Sequence, residues 1–96
     1  MDTNQDTDTR FDTTLVIGSN GHVWVCKEAR YDGVWLHMVH ARIVRVWGTT
    51  RGLNELVNGP LTETVLDAPA DIVSLFHTAL IAVIPASEYK WQEALA

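Results

Sequence analysis

The chain has 96 residues, of which 47% are hydrophobic, together with a single cysteine and a net charge of −5. This length suits one domain, and the apolar content is too high for a disordered chain. One cysteine excludes an internal disulfide framework, and the acidic, polar start is unlike a secretory signal peptide. No apolar run reaches the roughly 18 residues that a spanning helix needs. We therefore expect a soluble cytoplasmic protein with no membrane partner.

Charge is distributed unevenly along the chain. Residues 1–13 alternate Asp, Thr, Asn and Gln, which predicts a disordered acidic tail ahead of a single β-rich domain at 14–96. Residues 33–54 hold three arginines and no acid, whereas residues 55–96 hold six acids and one lysine. The acidic total argues against a duplex nucleic acid partner. The local basic segment suits a small anionic ligand or the acids of a neighbouring subunit.

Apolar runs separated by turn residues predict a three-stranded meander in the first half of the domain. The strand at residues 14–18 is followed by Asn20-Gly21, and the strand at residues 22–28 by Asp32-Gly33. Both dipeptides are hairpin signals because their residues tolerate positive φ. Residues 34–40 alternate again and complete the meander.

The middle of the chain predicts a strand, a turn and a short helix. Residues 41–47 continue as a strand after a bend. Thr49 or Thr50 can N-cap a helix at about residues 51–57, which Asn58-Gly59-Pro60 then ends. Two helical turns are too short to be stable alone, so packing must hold this helix.

The last third predicts three strands and a helix. A brief strand at residues 64–66 precedes strands at 72–76 and 79–84. The strand at 79–84 is apolar on both faces, which predicts a central strand covered on both sides. Ser87 can cap a final helix at 88–95. The predicted packing residues of that helix are Tyr89, Trp91 and Leu95.

Many short strands, tight turns and one inserted short helix indicate a mainly β (α+β) fold. The expected architecture is a small, strongly bent SH3-like or Tudor-like β-barrel or roll with a C-terminal helix. The chain carries four tryptophans. A barrel this small is expected to bury some of their side chains by associating with other copies of itself. We therefore expect a homo-oligomer.

The arginine-bearing strand and turn provide the candidate site. Arg45 and Trp47 lie two apart on one strand face, where a guanidinium and an indole could hold a phosphate and a base. The turn after them adds hydroxyls and the positive end of a helix. The candidate ligand-binding residues are Arg42, Arg45, Trp47, Thr49, Thr50 and Arg51. Alternatively, Trp47 is core and the arginines are surface or interface charges.

Other reactive side chains do not form a recognisable catalytic or metal-binding pattern. His37 and His40 fall on opposite sides of a regular strand, so a metal site would require a bulge. Ser74 and His77 are close in sequence, but no nucleophile elbow or third group accompanies them. Cys26 lies in an apolar strand and should be inert. We predict no catalytic residue, no metal and no cofactor, and hence no enzyme.

The chain resembles a family of small phage and prophage proteins of unknown function over about residues 33–86. The family pattern, ARxIxxWGTTxGLxxLxxxGPxxxTVLD, has counterparts here, with one residue fewer before the Gly-Pro pair, and an apolar strand follows it. The counterparts are Ala41-Arg42, Trp47-Gly48-Thr49, Gly52-Leu53, Leu56, Gly59-Pro60 and Thr64-Val65-Leu66-Asp67. More distantly, the chain is similar to the Thoeris anti-defence sponge proteins of phages. These oligomerise and sequester cyclic nucleotide immune signals without cleaving them.

The resemblance implies a function in the cytoplasm of the host cell. It suggests a non-catalytic, homo-oligomeric anti-defence protein that sequesters a small cyclic nucleotide at the candidate residues. The alternative is a protein–protein interaction or virion-associated module with no small-molecule ligand, which predicts a flat apolar patch rather than a closed cleft.

Overall fold

The computed structural model describes residues 8–96, and within them eight strands form one curled antiparallel sheet. The strands are β1 (Thr9–Phe11), β2 (Thr14–Gly18), β3 (Val23–Cys26), β4 (Glu28–Tyr31), β5 (Trp35–Val46), β6 (Val65–Leu66), β7 (Ala70–Phe76) and β8 (Leu80–Pro85). The sheet order is β1-β4-β5-β3-β2-β8, and β6 and β7 also pair with β5. The predicted fold class, small, mainly β and barrel-like, is confirmed.

Strand β5 is the centre of the sheet. It is 12 residues long, and its first half pairs with β4 and β7 while its second half pairs with β3 and β6. His40 has a φ of 54°, a left-handed conformation that bends the strand between the two halves. The bend predicted before Ala41 is therefore confirmed, although residues on both sides of it belong to one strand.

Both predicted hairpin turns are present. Gly21 N–H donates to Gly18 O at 3.0 Å between β2 and β3, and Gly33, with a φ of 96°, lies between β4 and β5. The single strand predicted at residues 22–28 is wrong, because the chain changes neighbours at Lys27. Strand β3 pairs with β2 and the second half of β5, whereas β4 pairs with β1 and the first half.

Part of the predicted tail is ordered. Strand β1 lies within residues 1–13, where we expected disorder, and pairs with β4 in the register Arg10↔Arg30. Phe11 packs against the core, and Arg10 Nε donates to Glu28 Oε2 at 3.0 Å, which explains why this polar segment joins the sheet. The prediction for residues 1–7 lies outside the described residues.

Two hydrophobic clusters lie on opposite faces of β2. Leu15 belongs to a cluster that residues 53–57 and 91–95 complete, and Val16 to a cluster built from strands alone; both are fully buried. Strand β2 is thus covered on both sides, as is β3, which contributes Val25 to the first cluster and Cys26 to the second. The prediction that β8 is central is wrong, because β8 ends the sheet and Ile81 is 66% exposed.

Of three helical segments in the described part of the chain, two are shorter than predicted, and the third is a 3-10 turn, His77–Ala79, that joins β7 to β8. A 3-10 helix, Leu53–Asn58, replaces the predicted α-helix, and it ends at Gly59 as expected. Helix α1 (Glu88–Trp91) is capped by Ser87 Oγ, which accepts from Lys90 N–H at 3.3 Å, so that cap is confirmed. Among residues 8–96 there is no helix that is long and apolar enough to cross a membrane.

The packing of the C-terminal segment follows from its aromatic residues. Trp91 and Leu95 are buried as predicted, and Trp91 Nε1 donates to Leu56 O at 2.7 Å, joining α1 to the 3-10 helix. The prediction for Tyr89 is wrong, since its side chain is 79% exposed.

Candidate functional site

The turn after β5 is fixed by close packing of the main chain. Gly48 has a φ of 70°, and a Cβ atom there would lie 2.5 Å from Glu63 C and Thr64 N. The Thr64 hydroxyl donates to Trp47 O at 2.7 Å across the same contact. Only glycine fits this approach, because any side chain would overlap main-chain atoms. The glycine that follows Trp47 is therefore explained by folding alone.

Arg42 ties distant parts of the chain together. Its Nε donates to Asp67 O at 2.6 Å and its Nη1 to Ala94 O at 2.9 Å. Each bond involves a charged donor, which makes it stronger than a neutral one. The half-buried guanidinium thus joins β5 to the loop before β7 and to the C-terminal segment. Two of its donors are committed to main-chain acceptors.

Arg45 and Trp47 do share a concave surface. A shallow depression of about 360 Å³ is lined by both residues together with His22, Val44 and Asp67, among others. Arg45 Nε donates to Asp67 Oδ1 at 2.6 Å, and the Arg45 side chain is 66% exposed. The depression therefore offers a cation and an indole face, but a carboxylate already pairs with the cation.

The predicted anion-binding turn binds a carboxylate of the chain itself. Thr50 N–H and Arg51 N–H donate to Glu55 Oε1 at 2.8 and 3.2 Å, and the Thr50 hydroxyl lies 3.3 Å from Glu55 Oε2. The Thr50 N–H, followed by that of Arg51, lowers the pKa of Glu55. The predicted cap by Thr49 or Thr50 is wrong, because Gly52 occupies that position without a side-chain hydrogen bond. Glu55 fills the place expected for a ligand phosphate.

The candidate residues therefore do not converge on one site. Arg45 and Trp47 line the depression, whereas Thr50 and Arg51 surround Glu55 and Arg42 binds main-chain oxygens. Thr49 is half-buried in the turn between them.

A second polar arrangement joins β4, β5 and β7, and the sequence did not reveal it. His37 Nδ1 lies 2.7 Å from Ser74 Oγ, and His37 Nε2 lies 3.3 Å from Asp32 Oδ2. Asp32 Oδ1 accepts hydrogen bonds from Trp35 N–H and Val34 N–H, which lower the pKa of the Asp32 carboxyl in that order. Ser74 and His77 are close in sequence, but the register of β5 and β7 pairs Ser74 with His37.

The side chains of Asp32, His37 and Ser74, which we call the relay, are linked in the same order as the Asp, His and Ser of a serine hydrolase triad. Acyl transfer also needs N–H donors that converge where the oxyanion forms. The main-chain N–H groups along one edge of a strand are spaced about 6.6 Å apart, so they do not converge. His37 and Asp32 are each 38% exposed on an open sheet surface. The relay therefore orders the side chains of this surface.

Apolar side chains flank the relay on both sides. Trp35 lies opposite Phe76, with ring centroids 5.3 Å apart in an edge-to-face arrangement, and Val39 lies opposite Ile72. All four are exposed, Ile72 to 63%. We call this surface the outer face; it consists of Trp35, His37, Val39, Ile72, Ser74 and Phe76. Contiguous exposed apolar groups of this kind mark interaction surfaces.

Two further reactive side chains, Cys26 and His40, line neither the depression nor the outer face. Burial raises the pKa of the Cys26 thiol to about 12, in agreement with the expectation that it is inert. The His40 Nε2 atom is buried and has no hydrogen-bond partner among residues 8–96. Within those residues no three His, Cys, Asp or Glu side chains lie close enough to hold a metal ion.

Comparison of the chain with protein-family models, with curated proteins and with solved structures finds no match.

Proposed function

We propose that the protein is a non-catalytic interaction module that binds another polypeptide through the outer face. The observation that carries this proposal is the flat row of exposed apolar groups on β5 and β7, Trp35 beside Phe76 and Val39 beside Ile72. A partner that covers the row would remove this apolar area from water, and the tryptophan is the type of residue that dominates such contacts. Between these two apolar pairs, His37 and Ser74 offer the partner hydrogen-bonding groups at the centre of the outer face.

The two half-exposed tryptophans provide a matched test. Trp35, on the outer face, is 42% exposed, and Trp47, beside the arginines, is 41% exposed. Affinity purification from host extract should retrieve a partner with the wild type and with Trp47→Ala but not with Trp35→Ala. Calorimetry with the purified partner would then give the affinity of each variant. Equal binding by Trp35→Ala and the wild type would refute the proposal.

A second candidate function is the binding of a small anionic nucleotide in the depression beside Arg45 and Trp47. It is favoured by one observation, the meeting of a largely exposed arginine, an exposed indole and His22 around one concavity. A base could stack on the indole while phosphate oxygens displace Asp67 from the guanidinium. In this function the protein would sequester a cyclic nucleotide signal in the host cytoplasm, as the resemblance to anti-defence proteins implies.

Calorimetry against a panel of cyclic nucleotides tests this second candidate. Binding by the wild type that is lost in Arg45→Ala and Trp47→Ala, with Trp35→Ala unaffected, would support it. If none of the nucleotides gives heat, or if both variants bind as the wild type does, the nucleotide function is excluded for that panel.

A further inference from the structure

Strand β7 has an open edge. Within the described residues it pairs with β5 on one side only. His77 N–H donates to Val34 O at 2.8 Å, which fixes the alternation of the antiparallel ladder. The odd-numbered residues of β7 therefore bond to β5. The N–H and C=O groups of Ile72, Ser74 and Phe76 point instead to the open edge.

Between Ile72 and Phe76 this edge has none of the usual features that prevent pairing with another strand. Edge strands are commonly protected by lysines, prolines, bulges or charges that point inward. The sequence of β7, ADIVSLF, contains one charged residue, Asp71, and pairs regularly with β5 from Ile72 to Phe76. Strand β8, at another edge, ends in Pro85, and its pairing with β2 shifts register near Gly18.

We propose that β7 pairs antiparallel with β7 of a second copy of this chain, with Ser74 opposite Ser74 of the partner subunit on a two-fold axis. This register joins the outward-pointing groups of both strands in hydrogen-bonded pairs. It sets Ile72 beside Phe76 of the partner subunit, so that apolar side chains meet at two equivalent places. It also sets Asp71 beside His77 of the partner subunit, which pairs an acid with a base.

The edge complements itself, which is why a second copy is the occupant. The residues whose main-chain groups point to the open edge are Ile72, Ser74 and Phe76. Their order is apolar, hydroxyl, apolar from either end, as an isologous two-fold contact requires. Pairing at the edge leaves the outer face uncovered and joins two such faces into one row. The row would run Trp35, Phe76, then Ile72 and Val39 of the partner subunit. The proposed dimer contact lies beside the outer face used in the proposed function, but it requires only a second copy of this chain.

The oligomeric state in solution tests the contact directly. Sedimentation velocity across a wide concentration range should show a dimer for the wild type. A lysine at the edge, Ile72→Lys, should raise the dimer dissociation constant by about tenfold or more, because it places a charge against Phe76 of the partner subunit twice. The matched control is Ile81→Lys on β8, whose side chain is 66% exposed against 63% for Ile72. It should leave the dimer intact.

The register has its own test. Residues in a hydrogen-bonded antiparallel pair have Cα atoms about 5.5 Å apart, within the range that a disulfide spans. Ser74→Cys should therefore form a disulfide-linked dimer on mild oxidation, whereas Ile81→Cys should not. The natural Cys26 is fully buried and does not compete.

The outcomes separate this inference from the proposed function. A wild type that is monomeric at every concentration overturns the inference, as does a dimer that Ile72→Lys and Ile81→Lys weaken equally. Equal cross-linking of the two cysteine variants overturns the register. Loss of partner retrieval in Trp35→Ala alongside a monomeric wild type would leave the proposed function standing without the dimer. A dimer that pairs through β7 but retrieves no partner would leave the inference standing without the proposed function.

Discussion

The arginine segment, residues 42–51, runs from the second half of β5 into the turn after it, whereas the outer face is formed by the first half of β5 together with β7. These two regions use their side chains in opposite ways. In the arginine segment, Arg42 binds main-chain oxygens and Arg45 pairs with Asp67. On the outer face, Trp35 and Ile72 remain exposed. The two arginines bond to oxygens of the chain itself, whereas apolar residues that could have joined a core remain at the surface.

This difference has a physical origin. A charged group that is partly withdrawn from water must be paired, because an unpaired one is strongly destabilising. Arginines in a bent strand near loops therefore acquire partners from the chain itself. Apolar groups on an open sheet face have no such requirement, so they stay exposed until another surface covers them. The comparison favours the outer face as the site of interaction.

The largest expected effect is at the turn of the arginine segment. We expect Gly48→Ala to lower the free energy of unfolding by roughly 3 kcal/mol or more, since it adds positive-φ strain and overlap with main-chain atoms. The control is Gly21→Ala, with a φ of 89° and nothing within 4 Å of an added Cβ. It should lose about 1–2 kcal/mol from strain alone. Equal losses in urea denaturation would show that the close contact with Glu63 and Thr64 is unimportant.

The next effect distinguishes Arg42, whose side chain bonds within the fold, from Arg45, whose largely exposed side chain is available to a ligand. Arg42→Met keeps the aliphatic stem but removes the bonds to Asp67 O and Ala94 O. We expect a loss of about 2–3 kcal/mol in the free energy of unfolding. Arg45→Met, which removes one bond from a largely exposed side chain, should lose no more than about 1 kcal/mol. If the two variants unfold at the same urea concentration, Arg42 is as available to a ligand as Arg45.

These assignments explain what could be predicted from the sequence. Alternation and turn residues are local signals, so they correctly gave both hairpins, the bend before Ala41 and the stop at Gly59. The partners of Arg42 are 25 and 52 residues away, and Ser74 is 37 residues from His37. Such contacts depend on sheet register, which one sequence does not specify.

One missed contact was within reach of sequence analysis. Glu55 lies only five residues after Thr50, a spacing at which a carboxylate can fold back onto the N–H groups that begin a helical turn. The donors of this turn predict a ligand site only as long as the Glu55 carboxylate is left out of account. The exposed apolar residues of β7 were harder to foresee, since alternation alone does not say whether an edge strand is covered.

A smaller effect concerns acid stability. Main-chain N–H groups hold the pKa of Glu55 in the folded chain below its ordinary value. The resulting stabilisation is present above pH of about 4 and is lost as the pH falls through the folded-state pKa. Glu55→Gln should therefore be less stable than the wild type near neutrality and should lose less stability on acidification. The urea midpoint measured from pH 7 downward checks this, with Glu93→Gln as the control.

A fall in urea midpoint for Glu55→Gln that parallels the wild type throughout the acid range would contradict this assignment. Asp32 should behave in the same way on the outer face, because the N–H groups of Trp35 and Val34 lower its pKa as well.

The two half-exposed tryptophans decide between the surfaces. Trp35→Ala loses its edge-to-face contact with Phe76, worth about 1 kcal/mol, in addition to the apolar area that the side chain buries. Trp47→Ala should cost a similar amount, because the bond from Thr64 is to its main-chain oxygen and survives. Both proteins should therefore keep the wild-type circular dichroism spectrum and unfold cooperatively. With folding matched in this way, loss of polypeptide binding in Trp35→Ala alone would assign the interaction to the outer face. Loss in Trp47→Ala alone would instead make the arginine segment the functional surface.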